Sequence, residues 1–194
     1  PLPEDEESWS DLHILFATAH GAVRRNSMDA FRNIPSAGKI AMRFGTDDGE
    51  EEDVTDRLIG VSLLTEDDDV LLATRGGKAI RFPATAVREF QSRTSRGVRG
   101  INLAEGDEVI SLSILRRVGT TQEEKEEYLR FAPWKAEKEG EPALAPERFA
   151  EMAEKEQFIL TVTANGYGKR SSAYEYRRTN RGGQGITNIV MSDR

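Results

Sequence analysis

The chain has 194 residues and a formal net charge of -7, long enough to bury a core of its own. It contains no cysteine, which excludes a disulfide framework and a thiolate metal site. No apolar run approaches the roughly 18 residues of a membrane helix, and the acidic start lacks the regions of a signal peptide, so a soluble cytoplasmic domain is expected.

The acid is concentrated. Residues 1–12 carry five acids and no base, residues 45–57 carry seven acids against Arg57 alone, and Glu66 to Asp69 add four. Residues 118–156 hold eleven acids and six bases. Everything else is basic on balance, a sign asymmetry that says more about partners than the total does.

Three segments repeat in chain order. Leu12 to Arg25 is an apolar run, a turn at Ala19-His20-Gly21, and a short second run ending in bases. Asp69 to Arg81 repeats this around Arg75-Gly76-Gly77, and Gln157 to Arg170 around Ala164-Asn165-Gly166. Each reads as a β-hairpin whose glycine supplies positive φ. A glycine anchor follows every hairpin: Ser36 to Phe44 around Gly38, Ser95 to Leu103 around Gly97, and Asn180 to Asn188 around Gly182. Two further strands alternate with period two, Leu58–Leu63 and Val109–Ile114, with Ile110, Leu112 and Ile114 expected inward. The insert 118–156 breaks the repeat. Gln122 to Ala132 and Pro146 to Glu156 carry helix formers, and Pro146 suits a first helical turn.

Units of about 50 residues with four short strands are blade-like. The expected fold is therefore all-β: a propeller-like disc fragment of about three four-stranded antiparallel blades, spanning 12–117 and 157–194, with an acidic helical insert at 118–156. Residues 1–194 form one partial domain on this reading.

The repeats also carry charge. Arg24 and Arg25, Lys78 and Arg81, and Lys169 and Arg170 follow the turns; Arg32 and Lys39, then Arg93, Arg96 and Arg99, then Arg177, Arg178 and Arg181 lie around the anchors. Equivalent positions of a repeated fold share one edge, so these bases are expected to form a stripe that meets DNA phosphates. Other chemistries have less support. His13 and His20 are too few for a metal site and point to opposite faces of a strand. Asp47-Asp48-Gly49 and Asp67-Asp68-Asp69 lack the spacing of an EF-hand loop. Gly166-Tyr-Gly168-Lys169 lacks the Walker pattern. No catalytic constellation is expected.

These blocks carry a family likeness. Phe16 to Arg25, Gly77 to Phe82, Arg96 to Leu103 with Gly106 to Val109, and Thr163 to Arg170 resemble the C-terminal domain of type IIA topoisomerase A subunits, more closely that of DNA gyrase than that of topoisomerase IV. The resemblance implies a β-pinwheel that bends duplex DNA around a basic rim, supporting ATP-dependent negative supercoiling by the whole enzyme. It implies duplex DNA and the gyrase core (the rest of the gyrase A protein, and the gyrase B protein) as partners. It implies no cofactor in this segment, since ATP and Mg²⁺ belong to other domains. The family's glycine-rich box is absent, Thr179 to Gly185 being a degenerate echo of it. The alternatives are the C-terminal domain of a topoisomerase IV A subunit and a propeller-like protein-interaction scaffold.

Overall fold

The computed structural model describes residues 2–44, 55–136 and 140–191. The acidic stretch 45–54, with Asp47-Asp48-Gly49, lies outside the described residues.

The hairpin glycines behave as the sequence predicts. Gly21, Gly77 and Gly166 have φ of 85°, 81° and 82°, and their N–H groups donate to the carbonyls of Thr18, Thr74 and Thr163 at 3.0, 3.1 and 3.0 Å. The first two turns share a carboxylate clasp. Asp56 accepts from the backbone of His20 and Arg57 at 2.9 Å each. Asp107 accepts from Gly76 and Glu108 at 2.7 and 2.8 Å, and from the Thr74 hydroxyl at 2.6 Å. One residue of the acidic stretch 45–57 is thus a turn lock rather than a solvated charge.

The strands build on these turns. β1 (His13–Thr18) and β2 (Ala22–Ser27) form the first hairpin, flanked by β3 (Leu58–Leu64) and by the short β6 (Val98–Arg99) of the next repeat, in the order β3-β1-β2-β6. β4 (Asp68–Thr74) and β5 (Lys78–Pro83) form the second hairpin. It is flanked by β7 (Val109–Arg116) and by the short β10 (Ile186–Thr187), in the order β10-β5-β4-β7. The two sheets have the same plan, each closed by a strand lent from the following repeat. Among the described residues β8 (Phe158–Val162) and β9 (Gly168–Ser172) pair only with each other. The third hairpin is thus described as a two-stranded sheet.

By chain contacts the protein divides into two compact units, Pro1–Ile114 with Arg178–Arg194, and Leu115–Arg177. In the first, Leu15, Ala17 and Val23 of one sheet meet Val70, Leu72, Ile80 and Phe82 of the next, with Leu64, Ile101 and Val109 completing the core. Burial of each large side chain stabilises by about 1.5–3 kcal/mol. Leu112 and Ile114 pack against this core as expected, whereas Ile110, on the edge strand β7, is exposed.

The second unit holds the insert. α1 (Gln122–Phe131) starts with a capping box between Thr121 and Glu124, and α2 (Pro146–Glu154) starts on its proline. Tyr128, Ala132, Met152 and Tyr174 form its core, with the Tyr128 and Tyr174 rings edge to face at 5.3 Å. Arg148 joins the helices, donating to Glu124 at 2.8 Å and Glu151 at 2.7 Å.

Two anchor glycines sit against backbone. Gly97 has φ 100°, and a Cβ there would strike the Val23 carbonyl; a Cβ on Gly185 (φ 73°) would strike the Ala79 carbonyl. Val23 and Ala79 are equivalent in the repeat, so Gly185, not Gly182, stands where Gly97 does. This corrects the alignment that sequence spacing suggests. Gly97→Ala combines left-handed backbone strain with overpacking, each about 1–3 kcal/mol, and is expected to lower the melting temperature markedly. Gly38→Ala, with open space around its Cβ, is expected to lower it less in the same calorimetric comparison.

Candidate nucleic-acid interface

The fourteen bases singled out by the repeat separate into held and exposed kinds, with Arg32 held by Asp29 at 2.7 Å. Arg24, Arg25 and Arg81 are buried, which removes them from a phosphate-binding surface and corrects the expectation that bases after the turn face outward. Arg24 is fully enclosed: its guanidinium donates to the carbonyls of Arg93 and Ser95 at 2.6 Å each and to that of Ala41, and lies 4.9 Å from the Phe16 ring centre. Burial pushes its pKa down to about 10, so it is still protonated at neutral pH. Arg25 donates to the Val87 carbonyl at 2.8 Å and to Glu66 at 2.9 Å. That hydrogen bond is the main reason the Glu66 carboxyl titrates below its usual range. Arg81 and Arg178 each donate through Nε to opposite oxygens of buried Asp69, both at 2.9 Å. Asp69, grouped by sequence with a solvated acidic run, is a structural anion.

Arg93 and Arg181 form a repeat pair. Arg93 donates to the Ala30 carbonyl at 3.1 Å and Arg181 to the Ala86 carbonyl at 2.8 Å, positions that match in the two hairpins. These arginines tether the approach to the anchor onto the preceding blade. The glycine beside Arg181 also serves the fold, since the Gly182 N–H donates to the Gly100 carbonyl at 2.6 Å.

The second kind reaches solvent. Lys39, Lys78 and Arg99 are exposed in the first unit, and Lys169, Arg170 and Arg177 in the second. Lys78 contacts the Thr187 hydroxyl at 3.0 Å. Arg96, half-buried, joins Arg43, Arg99 and Arg181 around a cleft of about 640 Å³ beside the first hairpin turn. Asp56 also lines this cleft, but its carboxylate is held by the turn. Four arginines line one opening, a setting that suits an anion such as a phosphodiester. Among the described residues no group of His, Asp or Glu could hold a metal ion. His13 is instead buried against Glu89 at 3.1 Å.

Comparison with known proteins decides the family. The model of the DNA gyrase C-terminal domain, a β-propeller, matches residues 12–55, 68–116 and 157–194. The chain belongs to the DNA gyrase C-terminal domain family. The DNA gyrase A protein of Granulibacter bethesdensis is 46% identical over 217 residues, covering 100% of this chain and 22% of the relative. That of Rickettsia bellii is 47% identical over 205 residues, again with 22% of the relative covered. The chain thus spans less than a quarter of these relatives. Among solved structures, a topoisomerase IV C-terminal domain aligns with TM-score 0.62 and 18% identity, over 91% of this chain and 41% of that one. A gyrase A C-terminal domain aligns with TM-score 0.61 and 22% identity, over 92% and 43%. At such identity the likeness is one of fold, the β-pinwheel.

Within this gyrase-family domain three bases escaped sequence reasoning. Arg43 follows Met42 in the first anchor and lines the cleft; its place inside an aligned block was a usable signal. Arg57 and Arg75 are exposed and both pair with Glu108, the former at 2.8 Å. They lie far apart in sequence, and nothing local links them.

Proposed function

We propose that this chain binds and bends duplex DNA on its exposed basic surface, as part of the C-terminal domain of a gyrase A protein. Residues 12–117 and 157–194 are its blades. The observation that carries this reading is the cleft at the first hairpin turn, where Arg43, Arg96, Arg99 and Arg181 converge. Family membership supports it independently. In the whole enzyme this segment would hold DNA while other domains, in the bacterial cytoplasm, supply cleavage and ATP hydrolysis for supercoiling.

The interface is narrower than the repeated bases suggest. It comprises Lys39, Arg43, Lys78, Arg96 and Arg99 in the first unit and Lys169, Arg170 and Arg177 in the second, with Arg181 contributing from its tethered position. Phosphate contacts release counterions, so affinity falls steeply with salt, and losing one contact reduces the slope of log K against log salt by about 0.9.

Arg99→Glu and Lys78→Glu are expected to weaken binding to all duplex sequences alike and to flatten that slope. Mobility-shift titrations at several salt concentrations, on two unrelated duplexes, measure both effects. Wild-type affinity and slope in the double variant would sink the proposal. Flow-through of the wild-type chain on DNA–cellulose at low salt would favour the scaffold reading instead.

A further inference from the structure

The cleft at the first hairpin turn has a counterpart one repeat later. Thr18 and Asp56 line the cleft, and Thr74 and Asp107 line a hollow of about 150 Å³ at the second turn. The other walls match in the same way. Arg43 and Phe44 end the first anchor block as Asn102 and Leu103 end the second, and Arg96 precedes Gly97 as Gln184 precedes Gly185. Two arginines of the cleft are thus replaced by side-chain amides in the hollow. Ala22 is replaced by Lys78, the only cation among the described residues that line it.

The older polar groups of the hollow are already engaged. Asp107 accepts from the backbone of Gly76 and Glu108 and from the Thr74 hydroxyl. Asn102 and Gln184 are exposed, and among the described residues neither side-chain amide has a hydrogen-bond partner. Ile101, Leu103 and Ala104 supply apolar walls beside them.

The backbone holds the two amides side by side. The Gly182 N–H donates to the Gly100 carbonyl at 2.6 Å, and the Asn102 N–H to the Gly183 carbonyl at 2.9 Å. Along each of these adjoining segments an arginine that lines the first cleft stands three residues before the amide: Arg99 before Asn102, and Arg181 before Gln184. Three residues of extended chain reach about 10 Å, and the major groove of duplex DNA is about 12 Å wide. Arginines resting on phosphates therefore bring the amides within reach of the groove. A side-chain amide carries both a donor and an acceptor, which complements the N7 acceptor and the N6 amino donor of adenine. A guanidinium, donor only, suits the phosphate.

We propose that Asn102 and Gln184 form a base-reading site for the major-groove edge of an adenine, set beside the phosphate-binding arginines of the first cleft. The proposal rests on the reading of that cleft as a DNA site and adds sequence preference to it. One repeat grips the backbone, and the next reads what the grip presents.

The probe is a pool of randomised duplexes, enriched by mobility shift with the 194-residue chain and then sequenced. The expected result is recovery of adenine over the other bases at one recurring position by about tenfold, within what one bidentate amide contact supplies. Asn102→Ala with Gln184→Ala is expected to abolish the preference. It should leave the slope of log K against log salt at the wild-type value, because a neutral side chain releases no counterion. Both side chains are exposed, and an unchanged urea midpoint certifies that the double variant is folded. Arg99→Glu is expected to lower affinity and slope while keeping the preference. A preference that survives in the double alanine variant overturns the proposal, as does its absence from a wild-type chain that binds duplex. Equal weakening of all sequences in the double variant also overturns it, since the amides would then meet the sugar–phosphate backbone. A wild-type chain that binds no duplex at all removes the DNA reading itself, and this site with it.

Discussion

Replacing Asp69 by asparagine is expected to remove about 3–5 kcal/mol of stability, the usual cost of breaking a buried ion pair from one side. Asp69 is fully buried, and its two oxygens hold Arg81 and Arg178. Arg81 is itself buried, so it would be left without its counter-charge in a dry setting. Arg178 is partly exposed and would recover some hydration, which keeps the loss at the lower end of that range. Because Arg178 comes from the third repeat and Arg81 from the second, the substitution loosens the lock between successive copies. Urea denaturation of the whole chain measures it as a lower midpoint. Asp67→Asn, at an exposed neighbour, is the control, with a change within about 0.5 kcal/mol. Equal midpoints for the two variants would remove Asp69 from the framework of the fold.

The second large effect is expected at Arg24. Arg24→Ala uncovers the carbonyls of Arg93, Ser95 and Ala41, each costing about 1–3 kcal/mol if it stays buried and unpaired. It also empties the space beside Phe16. Water entering that space offsets part of this, so a total of about 3–5 kcal/mol is expected from thermal or urea unfolding. Arg24→Met fills the volume and is expected to recover a part, leaving the hydrogen-bond loss visible on its own. The two variants separate the roles of packing and polarity. DNA affinity of whatever fraction remains folded is expected to stay at the wild-type value, since the guanidinium reaches no surface. Reduced affinity in a well-folded Arg24 variant would return this residue to the interface.

These two sites show where sequence reading stops. Arg24 and Arg25 occupy the same motif place as exposed Lys169 and Arg170, and nothing within either hairpin distinguishes them. What buries Arg25 is a segment 62 residues later, through the Val87 carbonyl. A base beside a turn is a phosphate contact or an internal tether according to what the next repeat lays over it. The same applies to Asp69, which belongs by sequence to an acidic run and by structure to an anion site for two arginines.

The insert gives a milder example. Helical composition and Pro146 placed both helices within two residues of where they lie, because capping and periodicity are local. That Tyr128 and Met152 would pack around Tyr174, beyond β9, was not legible in either helix.

By itself the sequence determined the repeat, the three hairpins with their positive-φ glycines, the two period-two strands and the family. All of these rest on interactions between residues a few positions apart or on ordered blocks of motif. Only the tertiary structure decided which bases face solvent and that Gly185 rather than Gly182 matches Gly97. Those outcomes depend on strands and carbonyls lent from one repeat to the next, and burial at that distance is set by the partner a residue meets, not by its neighbours in the chain.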